Sequence, residues 1–310
     1  MPALRHMEDI IAAAKSCAPL RTAVVHPVSA TLVASLAAAM QEKLIEPVLI
    51  GPAARIRAAA DEAGVDISDC RLIDTPHSHA AAETAMRLAR NGEVAAIMKG
   101  ALATGELMEA AMSRESGIRT DRRMSHVFVL EVKSYPKLLL ITDAALNVEP
   151  DLAQKKDICQ NAIDLAQALG VDTPKVAILA AVEHVDQRFR STVDAAALCK
   201  MADRGQIRGG VLDGPLAFDN AISREAANAK GIVSPVSGEV DVLLVPDIEA
   251  GNMVAKQLTY LAEARTAGIV LGGRVPVILT SRSGNAYGRV VSIALAALVI
   301  RARGGKVPAP

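Results

Sequence analysis

The residues best suited to chemistry in this chain are Thr280, Ser281, Arg282 and Ser283, which follow one another directly. The apolar residues 275–279 before them are typical of a strand buried on both faces of a parallel sheet. A Gly-Asn turn after them leads into a long apolar helix. Hydroxyl groups, a guanidinium and unpaired helix N–H groups would meet there, which favours an anion such as phosphate. A Ser that caps a helix beside a solvated Arg is the competing interpretation.

Other polar residues recur just past the carboxyl ends of predicted strands. They are Lys99, Asp143, Asn147, Glu183, Asp213, Asp219, Asn220, Asp247, Glu249 and Asn252. Ligands of open α/β sheets bind outside the carboxyl ends of the strands, so the whole set predicts the lining of one cleft. Taken alone, each Asp or Asn is better explained as a turn former or a helix N-cap.

The pair Lys99-Gly100 belongs to the same pattern, because it ends a predicted strand and precedes a helix that opens near Thr104. A Lys followed by Gly at such a place could hold a phosphate group. A surface Lys beside a turn Gly is the commoner arrangement, and the motif alone does not separate the two.

The elements that must position these residues alternate strictly between strand and helix up to residue 98. The predicted strands are residues 21–26, 47–51, 71–74, 94–98, 127–132, 138–142, 175–183, 210–213, 241–246, 268–272 and 275–279. Short connections and intervening helices predict an α/β fold with mostly parallel sheets. The turn 134–137 is the exception, since it predicts an antiparallel hairpin. A length of 310 residues favours two domains.

Composition excludes several classes of partner. Lys+Arg equals Asp+Glu at 34 each, and the chain has no Trp, three Tyr and three Phe, so nucleic-acid binding is disfavoured. The longest apolar run, residues 290–300, is interrupted by Ser292 and too short to span a bilayer. Four scattered Cys and a polar amino-terminal segment favour a cytoplasmic protein with reduced thiols and no membrane partner.

Several cofactor signatures do not occur in the sequence. The first predicted strand is not followed by Gly-x-Gly-x-x-Gly, and there is neither a Walker loop nor a Gly-x-Ser-x-Gly elbow. His77 and His79 are interpreted as exposed residues near a helix start and not as metal ligands. We therefore expect no metal and no tightly bound cofactor.

Four stretches carry a resemblance to a known family. They are residues 141–147 (ITDAALN), 205–219 (GQIRGGVLDGPLAFD), 245–253 (VPDIEAGNM) and 276–282 (PVILTSR). The chain resembles the phosphate acetyltransferases and phosphate butyryltransferases over almost its whole length. It also resembles closely the acetyltransferase-like module that some bacteria fuse behind an enoyl-CoA hydratase domain.

The resemblance implies a two-lobed α/β/α fold related to the isocitrate and isopropylmalate dehydrogenases, with a cleft between the lobes. Residues 1–120 plus 269–310 would form the first lobe and residues 121–268 the second. It also implies a cytoplasmic homodimer that converts acyl-CoA and phosphate into acyl phosphate and coenzyme A. Acetyl is the first expectation for the acyl group and butyryl the second.

The same resemblance implies roles for individual residues. The family's Ser-Arg pair, matched by Ser281 and Arg282, handles phosphate and the reacting carbonyl in the cleft, and Thr280 and Ser283 would complete the phosphate site. The candidates for the cleft and for binding CoA or the acyl group are Lys99, Gly100, Thr104, Asp143, Asn147, Asp213, Asn220, Glu249 and Asn252. We expect direct transfer in a ternary complex, because no Cys follows a strand end as an acyl-accepting nucleophile would.

The chain departs from the family pattern at three places. The acetyltransferases often carry an Asp seven residues beyond the Ser, where this chain has Gly288. Their common Ser-Arg-Ala-Asp-Ser is here Ser-Arg-Ser-Gly-Asn, and a His-Thr-Asp segment is replaced by Ala103-Thr104-Gly105. These losses leave open an alternative, in which a catalytically weakened member binds CoA or acyl phosphate as a sensor or scaffold.

Overall fold

The computed structural model describes residues 2–115, 117–279 and 286–305. The chain divides into two compact units: unit 1 consists of Met1–Met7 and Arg123–Thr266, and unit 2 of Glu8–Arg122 and Ala267–Pro310. The described residues form eleven strands and eleven helices. A cleft between two lobes stays a prediction.

The first half of the chain alternates strand and helix, as predicted. In order, its elements are α1 (Met7–Ala14), β1 (Leu20–Val25), α2 (Ala30–Gln41), β2 (Ile45–Gly51), α3 (Ala53–Ala63), β3 (Arg71–Asp74), α4 (Ser78–Arg90), β4 (Ala96–Lys99) and α5 (Thr104–Met112). The second half begins with β5 (Ser125–Glu131), β6 (Leu139–Thr142), α6 (Leu152–Ala168), β7 (Lys175–Leu179), α7 (Arg190–Asp203), β8 (Val211–Leu216), α8 (Phe218–Ile222) and α9 (Arg224–Ala229). It ends with β9 (Val242–Leu244), α10 (Ile248–Tyr260), β10 (Arg265–Leu271), β11 (Val277–Ile278) and α11 (Ala286–Ala302).

Within unit 2 the strands lie in the order β3-β2-β1-β4-β11-β10, and all neighbours are parallel except β11 and β10. β4 is buried at every position, which explains why its sequence is continuously apolar before Lys99. The run 275–279 is buried as predicted, but it is parallel to β4 alone. The short link from β10 to β11 allows only an antiparallel pair, because a parallel connection needs a crossover of a dozen residues or more.

Within unit 1 the order is β5-β6-β9-β7-β8, and every pair is parallel except β5 with β6. The predicted antiparallel hairpin at residues 134–137 is therefore confirmed. α6 begins at a capping box, in which Asp151 accepts from the Gln154 backbone N–H at 2.8 Å and Gln154 accepts from the Asp151 backbone N–H at 3.1 Å. Its buried face, which includes Ile158, Ala162 and Leu165, belongs to the core of this unit.

The predicted ends of two strands in unit 1 were wrong by three residues or more. β7 ends at Leu179 rather than 183, because its partner β9 ends at Leu244 and no ladder continues beyond it. β8 continues through Pro215 to Leu216, so Asp213 lies inside a strand and not past its end. A Pro is tolerated there because β8 is last in the strand order and has one side without a ladder partner.

The sequence predicts a helix that begins at Met253, but α10 begins at Ile248, so Glu249 and Asn252 lie inside the helix. Asp247 caps it, since its Oδ1 accepts from the Ala250 backbone N–H at 2.8 Å. A Cβ on Gly251 would lie 2.7 Å from a Val245 methyl and 2.9 Å from the Ala144 Cβ, so the glycine lets the helix pack closely on the preceding turns.

Candidate functional site

The predicted phosphate residues Thr280, Ser281, Arg282 and Ser283 lie outside the described residues. Both flanks are described: β11 ends at Ile278, and α11 begins at Ala286. The candidate site is therefore described from two sets of residues. The first lies at the strand ends and helix starts of unit 2, and the second consists of the polar groups of unit 1.

In unit 2, Lys99 ends β4 and is buried. Its ammonium group donates to the Leu102 carbonyl at 3.0 Å and to the Gly100 carbonyl at 3.3 Å, so it is held inside the turn that follows the strand. A Cβ on Gly100 would lie 2.2 Å from the Val25 carbonyl oxygen. Only Gly fits there, because the turn after β4 packs directly against the end of β1. Thr104, half-buried, begins α5 a few residues later.

His26, which sequence reasoning treated only as a strand stop, belongs to the same turn. Its ring is buried, and its Nδ1 lies 3.1 Å from the Ala101 carbonyl oxygen. Its backbone φ is +55°, a left-handed conformation that is uncommon for a residue with a side chain. Strain of this kind concentrates at functional sites. The signal in the sequence was a His-Pro pair at the carboxyl end of a buried strand.

Arg289, also missed, lies in the first turn of α11 beside Gly288 and is buried. Its Nη1 donates to Ser35 Oγ at 3.2 Å and to the Thr31 carbonyl at 3.5 Å, both on α2. Burial lowers the pKa of its guanidinium from the usual value. The only signal in the sequence was a charged residue at the start of an apolar helix.

In unit 1, Asp143 follows β6 and is 2% exposed. Its Oδ1 accepts from the backbone N–H groups of Ala145 and Leu146 at 2.9 and 3.0 Å. Its Oδ2 accepts from the Asn147 side chain at 2.6 Å and from the backbone N–H groups of Asn147 and His126 at 3.3 and 3.2 Å. A carboxylate with this many donors is a structural anchor for the turn after β6.

Asn147 links Asp143 to Arg123, an arginine that the sequence analysis did not single out. Its side-chain amide also donates to the Met124 carbonyl at 3.0 Å, and its Oδ1 accepts from Arg123 Nε at 2.7 Å. Arg123 is exposed, and its two Nη groups have no partner within the described residues. A guanidinium held by Nε with its other edge exposed is well placed to bind an anion.

The remaining candidates of unit 1 differ in their surroundings. Asn252 lies in the first turns of α10 and donates to the Ala144 carbonyl at 3.2 Å, which joins it to the Asp143 turn, while Glu249 is exposed on the same helix. Asp213 accepts from the Gly214 backbone N–H at 2.9 Å. Asn220, on α8, is fully buried, and neither of its side-chain polar atoms has a partner in the part of the chain that the structure describes.

Two cavities lie at the amino-terminal ends of strands, whereas the predicted site residues were expected at the carboxyl ends. One of about 380 Å³ in unit 1 is lined by residues that include Leu138, Lys175 and Asp241, and one of about 620 Å³ in unit 2 by residues that include Leu20 and Glu46. These are amino-terminal strand positions, and no predicted site residue lines either cavity. The described residues include no group of three or more His, Cys, Asp or Glu that could hold a metal ion, and no described helix is long and apolar enough to cross a membrane.

A mostly parallel α/β fold with polar side chains gathered at the carboxyl ends of its strands defines a class of proteins that bind ligands at those ends. The family can be named within that class. The family model described as "Phosphate acetyl/butaryl transferase" matches residues 78–297, so the chain belongs to the phosphate acetyl/butyryl transferase family.

Individual relatives agree with this assignment. The chain is 52% identical to a phosphate acetyltransferase of Rhizobium meliloti, over 97% of this chain and 96% of the relative. It is 38% identical to a phosphate butyryltransferase of Clostridium acetobutylicum, over 96% and 98% of the two chains. Among solved structures, a branched-chain phosphotransacylase from Enterococcus faecalis V583 is similar with a TM-score of 0.78 and 28% identity, covering 90% of this chain and 99% of the other. The predicted family, fold class and enzyme class, an acyltransferase, are confirmed.

Proposed function

We propose that the protein moves a short acyl group between coenzyme A and inorganic phosphate by direct transfer in a ternary complex, with acetyl as the first acyl group to test and butyryl as the second. The observation that carries the proposal is the 52% identity to a phosphate acetyltransferase over nearly the full length of both chains. Coenzyme A and phosphate would be substrates, with no tightly bound cofactor.

In this reaction a phosphate oxygen attacks the thioester carbonyl, a C–O bond forms, and the C–S bond breaks as coenzyme A leaves. The enzyme mainly aligns two anionic reactants, and alignment can be worth ~7–11 kcal/mol. We assign phosphate binding to Thr280, Ser281, Arg282 and Ser283. Arg282 would neutralise phosphate, and Ser281 would donate a hydrogen bond to the developing oxyanion or thiolate.

The charge requirements differ between the two directions. Phosphate titrates near neutrality, so its dianion attacks without a strong enzymic base. The reverse direction needs the CoA thiol, with a pKa of about 8.5 for a free thiol, to ionise. Gly288 offers no side chain for that purpose, so a neighbouring cation or the phosphate itself must assist the ionisation of the thiol.

The residues predicted to line the cleft have different roles in this proposal. Lys99, Gly100 and Thr104 form the turn after β4, which packs on the end of β1. Asp143 and Asn147 act through Arg123, whose exposed guanidinium edge suits the phosphate groups of coenzyme A. The remaining candidates, for contacts with the acyl or pantetheine parts of acyl-CoA, are Asp213, Asn220, Glu249 and Asn252.

The association state and the location in the cell are further parts of the proposal. A homodimer and a cytoplasmic location rest on the family resemblance. Sedimentation velocity of the purified protein measures the first directly: a dominant species at twice the 32.4 kDa chain mass is expected. A monomer across the tested concentrations would contradict it.

The activity is tested with acetyl-, propionyl- and butyryl-CoA, by phosphate-dependent CoA release and by arsenolysis. We expect turnover with at least one of them. We expect Arg282→Ala to raise the phosphate KM and to lower kcat together, because Arg282 would contact phosphate in both the ground and transition states. The control is Arg57→Ala on α3, an exposed arginine. Absence of CoA release from every acyl-CoA would contradict transfer and favour the binding alternative, and an unchanged phosphate KM would move the anion site elsewhere.

A further inference from the structure

The exposed large hydrophobic side chains of this protein are concentrated in one unit. Ten such residues are exposed in the described part of the chain, and all ten lie between Val148 and Leu261, within unit 1. Four of the ten belong to α10 or lie beside its ends: Val148, Met253, Tyr260 and Leu261. Single exposed apolar residues are ordinary, but a group of them on one element indicates contact with another protein.

α10 presents apolar side chains to solvent along its outer side. Its buried residues, Gly251 and Ala255, are one turn apart and define the side that faces the core of unit 1. Met253 and Tyr260 are two turns apart, lie on the other side, and are 63% and 68% exposed. Leu261, which follows the helix directly, is 79% exposed. A surface helix normally has polar residues on the side away from the core, so this side of α10 needs another explanation.

The apolar residues are spaced so that two copies of α10 match each other. The Ile248 backbone N–H donates to the Val148 carbonyl at 3.0 Å, which places Val148 beside the amino end of α10. Met253 lies near the middle of the helix, and Tyr260 and Leu261 lie at its carboxyl end. A two-fold axis that passes beside Met253 makes the two helices antiparallel. Val148 of one copy then meets the carboxyl end of the other α10, and the two Met253 side chains meet each other.

The charges on this side of α10 are complementary in the same arrangement. Glu249 and Lys256 are exposed, and neither has a hydrogen bond or an ion pair with any residue that the structure describes. Two helical turns, about 10 Å, separate them, so they do not pair within one copy. Glu249 lies one turn before Met253 and Lys256 one turn after it, so the two-fold arrangement brings each Glu249 to the Lys256 of the other copy. Such a contact is self-complementary in charge as well as in shape, which favours a second copy of this chain as the partner.

We propose that two copies of this chain associate through antiparallel α10 helices, an inference that rests on the homodimer of the proposed function and names its surface. The contact buries Met253, Tyr260 and Leu261 and pairs Glu249 with Lys256 across the two-fold axis. Each copy thereby removes from water the apolar side chains that the fold of the other leaves exposed.

The same contact supports the residues to which we assign coenzyme A. Val148 directly follows Asn147, whose Oδ1 accepts from Arg123 Nε at 2.7 Å. α10 also packs on the turn before Asn147, since the Asn252 amide donates to the Ala144 carbonyl at 3.2 Å. A second copy that covers Val148 therefore restricts the turn that orients Arg123.

The first test changes the centre of the contact. We expect Met253→Lys to raise the dimer dissociation constant at least about a hundredfold, because the change occurs twice beside the axis and sets two ammonium groups against each other. Val233→Lys is the matched control, since Val233 is 99% exposed in unit 1 and lies outside α10. Sedimentation at several protein concentrations measures the constant, and circular dichroism checks the fold. A dimer that Met253→Lys leaves intact, or that Val233→Lys weakens equally, overturns the inference while the homodimer stands, whereas a monomeric wild type rejects both.

The second test exchanges the charges. Glu249→Lys and Lys256→Glu should each weaken association at least about fivefold at low salt, and the double variant should return to within about twofold of wild type. Restoration requires the two groups to meet across the contact, so it also separates this role of Glu249 from a contact with acyl-CoA. Single variants that associate like wild type, or a double variant weaker than both, overturn the inference even if Met253→Lys does not fold.

The kinetic arm tests the support of the coenzyme A site. At a concentration where wild type is dimeric and Met253→Lys monomeric, the acyl-CoA KM of the variant should rise by up to about tenfold, the effect expected when Arg123 loses its orientation. An unchanged acyl-CoA KM in the monomer would overturn this support. A wild type that dimerises through α10 but releases no CoA from any acyl-CoA would reject the proposed transfer and keep the surface.

Discussion

At the scale of single residues, the buried polar groups Asp143 and Asn147 of unit 1 form hydrogen bonds to each other and to the backbone around them. Asp143 has both carboxylate oxygens occupied by donors, so it is poorly placed to take a proton from a substrate. In the proposed function its effect reaches a ligand through Asn147, whose Oδ1 accepts from Arg123 Nε at 2.7 Å. In unit 2, too, one residue positions others: Gly100 allows the close turn in which Lys99 and His26 are held.

This chain of contacts predicts how Asn147→Ala behaves. The change removes the only described partner of the Arg123 guanidinium, so we expect the acyl-CoA KM to rise about tenfold with a smaller change in kcat. Arg123→Ala should give a similar rise, and the double variant should be no worse than either single one, because both remove the same contact. The measurement is steady-state kinetics, with Asn228→Ala on the exposed side of α9 as control. Additive effects of the two changes would show that Asn147 does not act through Arg123.

At the scale of elements, one carboxylate joins three segments of unit 1. Glu131 ends β5, accepts from the Met7 backbone N–H at 3.0 Å, lies 2.9 Å from His6 Nδ1, and pairs with Arg265 at 2.6 Å at the start of β10. Partial burial acts to raise the pKa of this carboxyl group, but the Met7 N–H, His6 and Arg265 outweigh it and lower the pKa below 4.5. The amino-terminal segment is thus attached to the sheet by an ionised side chain.

The lowered pKa gives a prediction for the pH dependence of stability. The folded state favours the ionised form, so the contribution of Glu131 is present above its unfolded pKa and is lost as the pH falls through the lower folded value. Glu131→Gln should therefore reduce the free energy of unfolding by about 1–3 kcal/mol near neutral pH, and by less in acid. Urea unfolding at several pH values measures this, with the exposed Glu62→Gln on α3 as control. A difference that stays constant down to acid pH would show that the charge is not what matters.

At the scale of the whole molecule, the sequence predicts the order of elements well and the burial of charges poorly. Every predicted strand is present, because apolar runs between Gly, Pro and polar turns report strands directly. The predicted bounds of β8 and α10 were wrong because Pro215 lies in an edge strand and Gly251 allows close packing of a helix. Both roles depend on residues far away in sequence. Arg123 and Arg289 were missed for the same reason: an arginine is unremarkable until the fold shows what it touches. The Ser281-Arg282 pair, found from sequence alone, stays a prediction.

The surroundings of Cys70, Cys159 and Cys199 favour direct transfer over an acyl-enzyme. A thiol nucleophile must ionise, yet burial raises the pKa of Cys159, and burial together with Asp213 raises the pKa of Cys199 to about 12. Burial, aided by Asp69 and Asp66, also raises the pKa of Cys70. These thiols stay protonated at neutral pH, which favours attack by phosphate itself on the thioester.

We therefore expect a variant with Cys17, Cys70, Cys159 and Cys199 all changed to Ala to keep kcat within about twofold of wild type. The removal of the buried Cys159 sulfur reduces stability, so kcat is measured well below the thermal midpoint of the variant and compared with a Cys159→Ala single variant. Wild type incubated with radiolabelled acetyl-CoA without phosphate should retain no label after denaturation, because the proposed direct transfer forms no covalent intermediate. A folded four-Ala variant without turnover, or label retained by wild type in stoichiometric amount, would mean that the acyl group passes through a thiol.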